Sequence, residues 1–304
     1  MRCRTCGALA AINMRHHKLA LCATHFPPWL VKQTERAIHN YRMFSHDDHV
    51  LVAVSGGKDS LALWDILLRL DYQADGIYVD LGIDGGFGYS QRSKEKVLAF
   101  QQTHPDTKLH IVDIAGTYGE SIIDAAKRRG RAKEPCSVCG MVKRHEMNRV
   151  AVENGYSVLA TGHNLDDEAA TLFGNVLHWQ TRYLARQGPV LAAAGEMLAR
   201  KAKPFCRIYE RETAAYVLLT GLDYIYDECP YSKGATSLRH KATLNQMEHD
   251  APGTKLQFYT KFVQAKKEGL IRSDSEAERE MTYCVQCGRP TMADGLCRFC
   301  RLWN

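Results

Sequence analysis

The stretch that most limits what this chain can fold into is His49-Val50-Leu51-Val52-Ala53-Val54, followed at once by Ser55-Gly56-Gly57-Lys58-Asp59-Ser60 and the apolar run Leu61 to Leu70. Five consecutive apolar residues without polar alternation suit a strand buried on both faces of a parallel sheet. A glycine turn between such a strand and a helix lets backbone amides approach phosphate closely, and the helix N-terminus favours anions. The loop lacks the Gly-x4-Gly-Lys-Ser/Thr spacing of a Walker A motif, so γ-phosphate transfer of the P-loop kind is not expected. Further strands are predicted at Gly76 to Leu81, Leu109 to Ile114 and Ser157 to Thr161. Helices are predicted between them at Gln91 to Gln102, Gly119 to Arg128 and Cys139 to Glu153. That alternation predicts an α/β fold with a doubly wound parallel sheet, and a ligand site beyond the carboxyl ends of its strands.

The fourth strand runs into Thr161-Gly162-His163-Asn164-Leu165-Asp166-Asp167-Glu168, which sets acids at the start of a helix predicted from Asp166 to Leu177. Asp166 and Glu168 suit complementation of the helix dipole. Asp167, with Asp59 as second carboxylate, suits Mg²⁺ held between protein and nucleotide phosphates. Arg186 to Arg211 contains Gly188-Pro189 and many cations and reads as a flexible or substrate-ordered connection. More helix is predicted at Glu210 to Thr220, Leu238 to Glu248 and Lys255 to Lys267.

Ten of the eleven cysteines fall into ligand-like arrangements. Cys3-x2-Cys6, fifteen residues, then Cys22-x2-His25 is a Cys3His zinc set, and Cys284-x2-Cys287, nine residues, then Cys297-x2-Cys300 is a four-thiolate zinc ribbon. In a reducing compartment such pairs are metal ligands sooner than disulfides. The formal charge is +6; thiolates at two zinc sites would add about −1 and −2 and leave roughly +3, so net charge argues weakly for a nucleic-acid partner. The local clusters Arg200, Lys201, Lys203, Arg207, Arg211 and Lys233, Arg239, Lys241, with Trp179, Tyr183, Tyr209 and Tyr231 as stacking surfaces, argue better. No run approaches a membrane span and the N-terminus lacks a signal-peptide core, so a cytoplasmic protein without a membrane partner is expected. The expected organisation is a zinc finger at 1–26, a linking helix at 27–48, a catalytic domain at 49–272 whose helical nucleic-acid-binding part begins near 186, and a zinc ribbon at 273–304.

Cys136-x2-Cys139 and the distant Cys229-Pro230 remain. Three thiols leave one position open: a catalytic zinc, or a [4Fe-4S] cluster with one free iron, or a persulfide pair, or a zinc completed by His145 or His163. Residue chemistry alone leaves these open. Cys206 belongs to none of them and suits a small buried residue. Lys143 follows Cys139 by four residues and shares its helix face, within reach of phosphates.

Taken together, the zinc module at each end, Ala53 to Asp65, Cys136-x2-Cys139, Gly162 to Ala170 and Glu228-Cys229-Pro230 resemble, over nearly the whole chain, the tRNA 2-thiouridine synthetases of the TtuA type within the N-type ATP pyrophosphatases. The resemblance implies ATP-dependent adenylation of uridine O2 at tRNA T-loop position 54, then sulfur transfer. It implies a [4Fe-4S] cluster on Cys136, Cys139 and Cys229, with Ala53, Ser55, Gly56, Gly57, Lys58, Asp59, Ser60, Lys143, Gly162 and Asp167 facing ATP or its Mg²⁺. It also implies a ubiquitin-like thiocarboxylated sulfur carrier and a homodimer. Asp59, Lys143, Asp167 and the three cysteines are the expected catalytic residues. The rival readings are a wobble-uridine or cytidine thiolase of the same fold, an adenylating ligase without sulfur, and a zinc-finger RNA binder. The ligase leaves Cys136, Cys139 and Cys229 without a role, and the RNA binder leaves the Ser55 to Ser60 loop without one.

Overall fold

The computed structural model describes residues 1–129, 135–193, 197–232, 236–271 and 282–304. The N-terminal module is the hairpin β1 (Ile12–Met14) and β2 (Leu19–Leu21), leading into helix α1 (Phe26–Asn40). The main domain then runs β3 (Val50–Ala53), α2 (Lys58–Arg69), β4 (Ala74–Asp80), α3 (Tyr89–Gln102), β5 (Leu109–Asp113), α4 (Ile114–Tyr118), α5 (Ile122–Arg128), α6 (Pro135–Glu153), β6 (Val158–Thr161) and α7 (Leu165–Leu177). It continues through α8 (Thr181–Arg186), β7 (Val190–Leu191), β8 (Arg200–Ala202), α9 (Glu210–Thr220), α10 (Thr236–Asp250) and α11 (Thr254–Lys267). The C-terminal module holds β9 (Thr282–Tyr283), β10 (Pro290–Thr291) and α12 (Cys300–Trp303). Lys233 and the expected boundary near residue 272 lie outside the described residues.

The sheet has the order β5-β4-β3-β6-β8-β7, parallel except for the edge strand β7. β3 lies at its centre because each of its residues can be buried: Val50 and Val52 point into a core shared with α1, α2 and α9, whereas Leu51 points into the opposite core beside α5 and α6. Both faces are thereby covered, and the carboxyl ends of β3 and β6 lie side by side, Ala53 opposite Thr161. Chain order reverses between these two strands, which is where doubly wound sheets bind ligands.

Two expectations are corrected. The basic stretch after Arg186 is not a flexible connection: β8 is an interior strand pairing with β6 and β7. Its three residues, Arg-Lys-Ala, carry no apolar signature, and only the neighbouring strands place them in the sheet. The helix expected from Gly119 to Arg128 begins only at Ile122, as α5 capped by Ser121, because Gly119 at φ 80° terminates a separate short helix, α4, that the sequence reading did not include. Among the described residues no helix is long and apolar enough to cross a membrane.

Both terminal modules share cores with the main domain. Cys3, Met14 and Phe26 join the α1/α2 core, and His16 Nε2 lies 2.8 Å from the buried Glu212 of α9. At the other end Phe299 stacks on His145 of α6 with ring centroids 3.4 Å apart, and Trp303 stacks on Tyr118. Such docking supplies the apolar burial that segments of this size lack.

Candidate active site

A cavity of about 330 Å³ opens at the β3/β6 switch point. Its walls include Ala53, Ser55, Asp59 and Ser60 from the glycine loop, Thr161, Gly162 and Asp167 from the second loop, and Lys143 from α6. The loop is held by its own side chains: the Ser55 amide donates to Ser60 Oγ at 3.1 Å, and that hydroxyl donates to the Gly57 carbonyl at 2.9 Å. Gly56 adopts φ 77°, and a Cβ there would lie 2.4 Å from the Ser93 carbonyl oxygen. Gly162 lets the second loop approach closely: a Cβ would stand 2.9 Å from the Asp59 carbonyl. Gly56→Ala is expected to destabilise the fold by at least about 2 kcal/mol, since the left-handed backbone and the Ser93 clash both oppose it. A urea midpoint that does not move, at unchanged slope, would contradict this.

The two carboxylates of the site are tied into a chain of alternating charge. Lys58 Nζ lies 3.0 Å from Asp59 Oδ2 and 2.9 Å from Glu210 Oε1; Lys241 Nζ lies 3.0 Å from Glu210 Oε2 and 2.6 Å from Asp167 Oδ1. Asp59 also accepts from Thr213 Oγ1 and from Asn164 Nδ2. Asp167 closes a capping box with Asn164, accepting its backbone amide at 3.1 Å. Burial raises the Asp59 carboxyl above the usual range despite Lys58. Burial would raise Glu210 as well, but its two lysines outweigh this and hold it down at about 2. Burial opposes the Lys58 ammonium, yet Asp59 and Glu210 hold its pKa up. His163 lines the cavity, where desolvation by the surrounding protein and the nearby Lys203 push it toward the neutral imidazole.

Asp166 and Glu168 do more than complement a dipole. Asp166 is buried against Lys255 and accepts the Glu210 amide at 2.8 Å, and Glu168 is buried 2.7 Å from Lys203. Lys203 and Lys241, expected on a nucleic-acid surface, are thus internal ion-pair partners, and the stacking candidate Tyr209 is buried with its hydroxyl on Glu248. Glu210, Thr213 and Asn164 escaped the sequence reading. Glu210 opens a helix, where an acid is unremarkable, and only the fold turns it toward Lys58, 152 positions away.

The three remaining cysteines meet beside this cavity. α6 begins at Pro135, so Cys136 and Cys139 occupy its first turns, and Lys143 extends from the next. Cys136 Sγ donates to the Tyr231 carbonyl at 3.4 Å, which brings the Cys229 loop against α6. Burial raises the Cys139 thiol, Lys143 opposes this, and Cys229 and Cys136 add to it, so the three thiols are electrostatic neighbours. Tyr89 joins the two regions: it lines the cavity, and burial together with Cys229 and Cys139 pushes its hydroxyl up to about 12. The histidines offered as a fourth ligand are engaged elsewhere, His145 with Glu146 and Phe299, His163 with Thr161. Cys206 is fully buried and separate.

The terminal sets are of a different kind. Cys3, Cys6, Cys22 and His25, and likewise Cys284, Cys287, Cys297 and Cys300, bring all their ligand atoms within 4.8 Å of one another. Cys6 and Cys22 sulfurs are 3.7 Å apart and Cys287 and Cys297 3.8 Å, near the edge of a tetrahedron with zinc–sulfur bonds of about 2.3 Å. Cys136, Cys139 and Cys229 do not form such a group. Their wider spread suits a multinuclear centre better than one tetrahedral ion.

Residues 2–27 match the N-terminal LIM domain of 2-thiouridine synthetase TtuA, and residues 30–240 match the PP-loop domain. The chain is 48% identical to a tRNA-5-methyluridine(54) 2-sulfurtransferase of Thermus thermophilus, over all of this chain and 91% of that protein. It is 41% identical to the protein of the same name from Thermotoga maritima, over 99% of this chain and 96% of the relative. The U34-tRNA thiolase NcsA from Methanococcus maripaludis, solved with its [4Fe-4S] cluster, shares the fold with a TM-score of 0.74, at 23% identity over 88% of each chain. The PP-loop match accounts for the glycine loop as an ATP site, the LIM match accounts for the first cysteine set, and the chain belongs to the TtuA-type 2-thiouridine synthetases, sulfurtransferases that thiolate tRNA.

Proposed function

We propose that this enzyme replaces O2 of 5-methyluridine at tRNA position 54 with sulfur, by way of an adenylated base. The observation that carries the proposal is the single wall shared by two chemistries: α6 supplies Lys143 to the cavity of the glycine loop and Cys136 and Cys139 to the thiol cluster beside it. The choice of position 54 is supported by relatives of that name at 40 to 48% identity, against 28% for the thiolation protein NcsA of Haloferax volcanii.

ATP would lie with its phosphates on the amides of Ser55 to Ser60. Uracil O2 attacks the α-phosphorus, the bond to the β-phosphate oxygen breaks, and pyrophosphate leaves. Asp59 and Asp167 would hold Mg²⁺ against the phosphates, and as they did so Lys58 and Lys241 would be released to phosphate oxygens as point charges beside Lys143. This exchange keeps charge balanced at each stage, because each lysine trades a carboxylate for a phosphate. A sulfur nucleophile then adds to C2 and AMP departs with the original O2. A [4Fe-4S] cluster on Cys136, Cys139 and Cys229 would supply an iron free of protein thiolate for that sulfur. Zn²⁺ in the two terminal sets would be structural, since four protein ligands leave no open position. A thiocarboxylated ubiquitin-like carrier as donor and a homodimeric assembly follow from the family resemblance.

The test is conversion of ATP to AMP and pyrophosphate by anaerobically purified protein with tRNA and sulfide, with the thiolated nucleotide mapped. The expected result is tRNA-dependent AMP release and 2-thiolation at position 54. Sulfur found only at position 34 or in a cytidine would transfer the activity to the rival thiolases, and ADP as product would remove the adenylation step.

A further inference from the structure

Trp179 occupies a backbone position that normally belongs to glycine. α7 ends in a full Schellman motif: Trp179 N–H donates to the Val176 carbonyl at 3.1 Å and Gln180 N–H to the Asn175 carbonyl at 2.9 Å. The residue between, Trp179 itself, takes φ 47°. Glycine is the common occupant there because it alone avoids the Cβ penalty of the left-handed region. Tryptophan accepts that strain without the compensation of burial, being 77% exposed. Tyr183, one turn into α8, is 65% exposed. A strained and largely exposed aromatic, without a ring partner among the described residues, points to a ligand.

The charge around this corner is one-sided. From Ala169 to Gly195 the chain has no acidic residue, and Arg182 and Arg186 are both exposed. Arg186 also borders a second cavity, of about 670 Å³, whose described walls include Lys201 of β8, Lys266 of α11 and Thr291 and Met292 of the C-terminal module, with no carboxylate. Lys201 is half-buried there, and desolvation with Arg144 and Lys203 nearby presses its ammonium toward lower pKa. The groove's described walls are mostly aliphatic, with Arg186, Lys201 and Lys266 as their cations, and Arg186 shares α8 with the exposed ring of Tyr183. Cations beside exposed rings suit single-stranded nucleic acid: phosphates on the cations, bases on the rings. α7 starts at the Asp167 loop and its 13 residues span about 20 Å, so the corner lies several nucleotides from the reacting base.

We propose that the α7–α8 corner and the adjoining Lys201–Lys266 groove dock unpaired nucleotides of the tRNA substrate flanking the one that enters the active site; this rests on the tRNA-thiolation reading above. Trp179 and Tyr183 stack bases, while Arg182, Arg186 and the two lysines neutralise phosphates. The partner is RNA rather than a second copy of the chain because, among the described residues, the corner and the groove walls offer cations and no acid to pair with them.

Trp179→Gly separates this role from folding, since glycine suits the left-handed position. The variant is expected to keep or raise its unfolding midpoint and to bind ATP normally, yet to bind tRNA about tenfold more weakly. Trp179→Phe, which keeps a stacking face, should recover most of that affinity. Arg182→Ala with Arg186→Ala should reduce the slope of log K against log salt by about 2. Filter binding across a KCl titration reads both, and sedimentation reads the mass. Unchanged tRNA affinity and slope would overturn the surface while leaving the thiolation reading intact. A Trp179→Gly protein that falls from dimer to monomer would assign the patch to a second copy instead. Failure of the wild-type enzyme to bind tRNA at all would overturn both readings.

Discussion

Cys229→Ala is expected to lose iron and tRNA thiolation together while still binding ATP. The three thiols come from the first turns of α6 and from a loop reached after 89 intervening residues, and only the folded chain unites them. With two ligands left, a four-iron cluster should fall from about four irons per chain to nearly none under anaerobic purification, and thiolation should drop by more than about a hundredfold. ATP binding survives because the Ser55 to Ser60 loop is held by its own serines rather than by Cys229. A persulfide relay predicts the opposite pattern: iron would be dispensable, and sulfur would still be trapped on Cys136 or Cys139. Iron content, ATP binding and thiolated tRNA measured on one sample, with sulfide supplied directly, decide between them. Retention of both cluster and product would end the three-cysteine assignment.

The second large effect belongs to the carboxylates. Asp59→Ala and Asp167→Ala should each lower product formation by about 10²–10³-fold, as expected when charge stabilisation of a leaving phosphate is removed. Affinity for tRNA should stay within about threefold, since neither acid faces the RNA backbone. Stability separates the two variants. The partly buried Asp59 carboxyl has a raised pKa, so its ionised form works against the fold: that penalty is present above the raised pKa and fades as pH falls through it. Asp59→Asn should therefore be inactive yet at least as stable as the wild type at neutral pH. Asp167→Ala also removes half of the α7 capping box and should lower stability by about 1 kcal/mol. Near-normal turnover in either alanine variant would remove that residue from the ATP site.

The features legible in the residue string alone were those whose physics is local. The β3–loop–α2 unit could be read because an unbroken apolar run, two glycines and a helix follow one another directly. The terminal ligand sets could be read because four donors recur at short spacing, and α9 because its run ends at Gly221, which takes φ 72°. What only the tertiary structure decided depends on pairing between distant segments. β8 is a strand because β6 and β7 lie beside it, not because Arg200 and Lys201 prefer extended backbone. Lys203 and Lys241 resemble surface cations in the sequence and become internal partners of Glu168 and Asp167 once α7 lies beside the end of β8 and packs on α10. Glu210 links the two lysines of the site because α9 starts where the glycine loop ends in space, across 152 positions of chain. Desolvation explains why such pairs cannot be inferred locally: a buried charge must find its opposite, and which opposite is near is settled by the fold rather than by spacing along the chain.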